Sequence, residues 1–258
     1  MKPTQEIFTY DGSFDGFLSV IYNCFHQRQL PIDIGIEGEY NSFFPNRFIP
    51  ADSDLASRVW SSIPKKISPE AAQLVTDVFY SFMEQKELAL LNFLARAYKE
   101  GGKLLTSFGD PMIAPLLKAQ RHLRTEAHKL VGFVRFRDTV GGLVSEIDPK
   151  NFILPYIANH FMMRYDNEDF VIYDKTHKAA LVWAKDETGV RKGDIFQADH
   201  IEFPEESQEE QRFVSLWKLF YDTVAIKERY NPRCRMTLMP KRYWANMVEV
   251  KDELERSK

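Results

Sequence analysis

Only two cysteines, Cys24 and Cys234, occur in 258 residues, and they lie far apart. No CxxC pair and no disulfide framework can be written from them. An iron–sulfur cluster or structural zinc built from this chain's thiols alone is excluded on the same ground. No apolar run approaches the roughly 20 residues of a membrane span. The opening MKPTQEIFTYDG lacks the apolar core of a signal peptide. The expectation is a soluble, cytoplasmic protein with no membrane contact. Repeats, low-complexity tracts and linkers are absent. So are GxGxxG, GxSxG and HExxH, and GGKLLTS at 101–107 lacks the first half of a phosphate loop. The six histidines show no tight ligand spacing; His122 and His128, six apart, fall on opposite sides of a helix. Neither a metal nor a cofactor is expected.

What is present is apolar content of 44%, with 20 Phe and 11 Tyr. That suffices for a core of one large domain or two small ones. The reading is one compact domain over 1–258, with a helical half to about 130 and an α+β half from 131. Ile7–Tyr10 reads as a short strand. Ser13 caps a helix with Phe14, Phe17, Leu18, Ile21 and Phe25 on one stripe. Residues 30–50 read mostly as loop, with a short strand at Phe43–Ile49, and Ser53 caps a helix to Ile63. Ser68-Pro69-Glu70 starts another helix. A helix over Lys86–Glu100 stops at Gly101-Gly102, and one from Asp110-Pro111 runs to about Lys129.

The period then changes from 3.6 to 2. Val134 and Phe136 alternate with Arg135 and Arg137; Gly141-Gly142 turns; Leu143–Asp148 returns. After a helix over Leu154–Tyr165, Phe170–Asp174 and Ala179–Ala184 form a second hairpin. The fold class is α+β, helix-rich, with a small antiparallel sheet in β-β-α-β-β order covered by helices. Gln208–Arg229 reads as a long helix with Phe213, Leu216, Trp217, Phe220 and Val224 inward. A charged helix closes the chain.

Charge is the informative quantity. The chain carries −3, yet Lys118–Arg137 and Lys227–Arg242 each hold six cations against one acid, so these two +5 stretches leave the remainder at −13. Such a split marks a basic face or two separate solvated segments. A turn near residue 140 sets Arg135 opposite Glu146, as a cross-strand ion pair or a cationic strip for phosphates. His160 and Arg164, one turn apart, can meet Asp174 to orient a phosphate or a water, or to form a capping network. Cys234 between Arg233 and Arg235 is a structural thiol or, if exposed, an activated one. NPRCRMTLMPKRYW at 231–244 sets four cations beside Tyr243 and Trp244. Cations meet phosphates and rings stack on unpaired bases. Alternatively, Pro240 starts a short helix that buries Trp244 and leaves Lys241 and Arg242 in water.

YDGSFDGFL (10–18), HKLVGFVRF (128–136), ANHFMMRY (158–165), VIYDKTHKAAL (171–181) and the 231–244 segment resemble, in order, a bacterial family of unknown function labelled as DNA-metabolism proteins. The resemblance spans nearly the whole chain. It implies a context: related domains are fused to uracil-DNA glycosylase-like domains, and stand-alone members are encoded beside a radical-SAM protein of DNA modification or repair. The matching positions are Asp11, Gly12, Phe14, His128, Gly132, Phe133, Arg135, Phe136, His160, Phe161, Arg164, Asp174, Asn231, Pro232, Arg233, Pro240, Tyr243 and Trp244. His177 departs from the pattern, which has arginine there. The expected function is a DNA-metabolism accessory protein that binds DNA, single-stranded or locally opened, and assists a radical-SAM or glycosylase-like partner. Its DNA contacts would be Arg135, Arg137, Arg164, Arg233, Arg235, Lys241, Arg242, Tyr243 and Trp244. The alternatives are an enzyme acting on a nucleobase or phosphodiester through His128, His160 and Asp174, and a protein–protein adaptor that never touches DNA.

Overall fold

The computed structural model describes residues 1–39, 43–224, 226–229 and 231–250. The chain divides into two compact units, Met1–Arg124 and one beginning at Thr125. The division falls six residues before the expected end of the helical half.

Unit 1 mixes sheet and helix. Strand β1 (Lys2–Pro3) precedes β2 (Ile7–Tyr10), helix α1 (Phe14–Gln27), β3 (Gln29–Leu30), β4 (Asp33–Ile36) and β5 (Asn46–Phe48). Strand β2 pairs in parallel with both β4 and β5, and β1 pairs in parallel with β3. The expectation of loop over most of 30–50 is therefore corrected. DIGI at 33–36 is too short, and too interrupted by Gly35, to show an alternation of its own. It becomes a strand because β2 offers it a ladder.

Four helices follow: α2 (Ser53–Lys66), α3 (Pro69–Phe79), α4 (Lys86–Glu100) and α5 (Ile113–Phe133), whose residues from Thr125 on belong to unit 2. Their ends follow local chemistry. The Ser13 hydroxyl accepts from the Gly16 N–H at 2.9 Å, and Ser68 accepts from Ala71. Asp52, not Ser53, caps α2 by accepting from Asp54 and Leu55. Gly101, at φ +75°, ends α4. The core packs Phe8, Phe17, Ile21, Val75, Leu90 and Phe93, all fully buried. Each contributes roughly 1.5–3 kcal/mol by leaving water.

Cys24 lies in that core, and burial pushes its thiol up to about 12. Cys234, by contrast, is exposed, so it is not a structural thiol of a core. A thiol reagent such as DTNB is therefore expected to titrate one cysteine in the native protein and a second only after unfolding. Rapid native reaction of both would contradict the burial of Cys24.

Unit 2 is built on a five-stranded sheet, ordered β10-β9-β8-β7-β6: β6 (Arg137–Thr139), β7 (Gly142–Ile147), β8 (Phe170–Asp174), β9 (Ala179–Lys185) and β10 (Arg191–Gln197). Three pairings are antiparallel, but β7 and β8 are parallel. Helix α6 (Leu154–Arg164) lies between those strands in sequence and returns the chain to the starting end, as a parallel crossover requires. The purely antiparallel β-β-α-β-β sheet is thereby corrected to a mixed one with an added edge strand, β10.

The strand expected at Val134–Arg137 is also corrected. Helix α5 continues to Phe133, where Val134 N–H still donates to Leu130 O, and β6 begins only at Arg137. Phe136 is drawn out of any ladder by rings. It packs edge-on against Phe161, Tyr165 and Phe170, with centroids 4.9–5.5 Å away.

Helix α7 (Gln208–Val224) falls short of the expected Arg229, since Lys227–Arg229 forms a 3-10 turn. The stripe expected to face inward is outside: Phe213, Leu216, Phe220 and Val224 are exposed, and Trp217 is 44% exposed. Helical period fixes which residues share a face and leaves open whether anything covers it. Helix α8 (Pro232–Leu238) and a 3-10 turn at Lys241–Asn246 complete the described fold. The closing charged helix falls on 251–258, outside the described residues. Among the described residues no helix is long and apolar enough to cross a membrane.

Candidate nucleic-acid interface

The 231–244 segment is anchored from within unit 2. Asn231 caps α8 by accepting from the Cys234 N–H at 3.0 Å. Pro240 then opens the 3-10 turn that buries Tyr243 and Trp244 to 2% and 3% exposure. The Trp244 indole N–H donates to Met239 O at 2.9 Å. Arg235 lies over the Trp244 ring at 4.6 Å, Lys241 approaches the same ring at 5.8 Å, and Arg242 lies over Tyr243 at 4.7 Å. The packing alternative is the one adopted by the two rings. Proposed as stacking surfaces for bases, Tyr243 and Trp244 are corrected: their faces are taken by the protein.

Glu126 holds the segment in place. One carboxylate oxygen accepts from Arg242 Nη2 at 2.8 Å and the Tyr243 hydroxyl at 2.9 Å. The other accepts from the Asn151 backbone N–H at 2.8 Å and the Asn151 amide at 2.6 Å. Burial pushes this carboxyl up, but the hydrogen bonds outweigh it and hold it below its ordinary value. Burial raises the Tyr243 phenol to about 12, so it stays neutral and donates. Sequence reasoning passed over Glu126, yet it is the single acid of the Lys118–Arg137 run, a signal that could have found it.

The strand arginines are also engaged. Arg137 meets Glu146 at 2.8 Å and Glu206 at 3.3 Å, so the cross-strand pair forms from Arg137 and not from Arg135. Arg135, left outside the ladder, donates to Glu210 at 2.8 Å. Glu210 sits at the start of α7, where its N–H donates to Ser207. That is the Ser-x-x-Glu pattern of a helix start, with the carboxylate turned toward Arg135.

The proposed His160–Arg164–Asp174 cluster is corrected. Asp174 is fully buried and accepts from His177: the backbone N–H at 3.1 Å and ring Nδ1 at 2.7 Å. A carboxylate that caps its own turn three residues on is satisfied locally. His160 and Arg164 are exposed on α6, His160 beside the Phe161 ring and Arg164 over the Tyr165 ring. His128 is exposed on α5. No hydrogen bond or ion pair joins these three candidates. Among the described residues no group of three or more His, Cys, Asp or Glu is arranged to hold a metal.

A cleft does form where α5 ends. Its walls are Gly132–Phe136, Tyr165, Phe213, Trp217, Met247 and Glu249, and its volume is about 380 Å³. Trp217 donates its indole N–H to Glu249 at 3.3 Å. Five aromatic residues, one arginine and one glutamate therefore line one open cavity. Four of the matched motif positions, Gly132, Phe133, Arg135 and Phe136, lie in its wall. Phe213 and Trp217 fall on an apolar α7 stripe that reads as ordinary core, and Glu249 belongs to no motif in the sequence.

No curated protein matches the chain. A family model described as "Domain of unknown function" (DUF4130) matches residues 84–249, from just before α4 through the whole described part of unit 2 except its last residue. That is well over half of the sequence, and the chain belongs to the DUF4130 family.

Proposed function

We propose that the chain is an accessory protein of DNA metabolism that binds DNA, single-stranded or locally opened, and assists a radical-SAM or glycosylase-like partner. The observation that supports this most is the aromatic cleft of unit 2, whose wall combines rings with Arg135. Rings suit an unpaired strand, since every base has a π-face, and an arginine beside them can meet a base's polar edge. The contact set differs from the one read in sequence. Arg135, Arg137 and Arg242 are ion-paired to carboxylates, and Arg235 is stacked on Trp244. Arg164, Arg233 and Lys241 are exposed and form no ion pair with another described residue, so they are the better candidates for phosphate.

Replacing Arg233 and Lys241 together by alanine is expected to weaken binding to labelled single-stranded DNA. The slope of log K against log salt should fall by about 1.4, roughly 0.7 per lost contact. Fluorescence anisotropy at low and physiological salt reads both quantities. Unchanged affinity and slope would remove these residues from the interface.

The adaptor reading is favoured by the exposed apolar residues of α7 that do not line the cleft, Leu216, Leu219, Phe220 and Val224. An uncovered face of this kind marks a protein-docking surface. Co-purification with a radical-SAM partner, lost on Phe220→Glu and without any DNA affinity, would favour it.

A further inference from the structure

We propose that the cleft at the end of α5 captures an unpaired nucleobase, stacked on Trp217 and Phe213, with Arg135 and Glu249 reading its polar edge. This deepens the DNA-binding reading and rests on it for the strand that carries the base. The cleft's volume, about 380 Å³, falls within the range of small-ligand sites. Its chemistry selects among occupants. An alkyl chain would fill the ring-lined space but leave the guanidinium and the carboxylate unmet, which is costly once water is displaced. Glu249 would repel a phosphate, and Arg135 a metal ion.

A nucleobase suits every wall. Its faces are flat and polarisable, and its edge carries donors beside acceptors. Both charged groups keep capacity for it. Arg135 donates one N–H to Glu210, and Glu249 accepts one from Trp217. The other guanidinium N–H groups and the second carboxylate oxygen have no further partner among the described residues. Phe213 and Trp217 are 69% and 44% exposed, so a base of an already open strand reaches them directly, while its sugar and phosphate stay in water.

The test compares wild type, Trp217→Ala and Phe213→Ala for binding two labelled strands of equal length, one bearing bases and one abasic throughout. Both rings are solvent-facing, so the variants should keep the wild-type unfolding temperature. The expected result is that wild type prefers the base-bearing strand, and that Trp217→Ala lowers that affinity roughly 5- to 150-fold. Binding to the abasic strand should be unchanged. Glu249→Gln should shift the preference among the four homopolymeric strands. Equal binding of both strands by wild type, or no effect of either ring substitution, overturns base capture while leaving DNA binding intact. Binding of neither strand overturns both.

Discussion

Replacing Glu126 by glutamine is expected to produce one of the two largest losses of stability in unit 2. Both carboxylate oxygens face donors: Arg242, Tyr243 and the Lys150 backbone N–H on one, the Asn151 backbone and side chain and the same Lys150 backbone N–H on the other. An amide of the same shape must turn its NH2 toward one of these sets, so a donor meets donors, and Arg242 loses its counter-charge. Breaking a buried, paired charge costs about 3–5 kcal/mol. The thermal midpoint should fall on the order of 10 °C, and the Trp244 environment should change with it. The pH dependence has a definite sign. The folded carboxyl titrates below its unfolded value. Its contribution is therefore present above the unfolded value of about 4.3 and is lost as pH falls through the depressed folded value. Wild type and variant should converge in stability across that acid range. A midpoint within a degree or two of wild type at neutral pH would mean that Glu126 does not fasten the 231–244 segment.

Gly142→Ala is the second large effect. Gly142 sits at φ +119°, a conformation that strains any residue with a Cβ, and an added Cβ would lie 2.8 Å from the Asp169 carbonyl oxygen. That oxygen accepts from Leu143 N–H, at the point where β8 begins to pair with β7. Backbone on both sides of the contact is fixed by the ladder, so relief requires a shift of the β6–β7 turn. A cost of about 2–4 kcal/mol is expected, measured by urea unfolding. Gly141→Ala is the internal control. Its Cβ would meet only Pro204 Cγ at 3.5 Å, and its stability should stay within about 0.5 kcal/mol of wild type. Equal effects at the two glycines would contradict the turn geometry.

Features settled by near neighbours along the chain and features settled by distant ones separate along one physical line. Ser13, Ser68 and Gly101 ended helices where they were expected, because a cap is settled by atoms three or four residues away. The β8–β9 hairpin was legible for the same reason, since its strands and turn are contiguous. Of the two readings of the 231–244 segment, the structure takes the one in which Pro240 opens a short turn that buries Trp244. Asp174 was assigned to distant partners, His160 and Arg164, although a residue within its own turn, His177, could satisfy it.

The sequence by itself determined the helix ends at Ser13, Ser68 and Gly101, the helical stripes, the β8–β9 hairpin and the two runs of positive charge, each a property of neighbours along the chain. Only the tertiary structure decided that β7 and β8 run parallel and that β4 is a strand. It also decided that Phe136 joins an aromatic cluster instead of a ladder. The same holds for the arginines, since an ion pair such as Arg135–Glu210 or Arg242–Glu126 joins residues 75 or 116 positions apart. Periodicity placed Phe213 and Trp217 on one face of α7. Whether that face is core or surface depends on what packs against it, and that is a property of the whole fold.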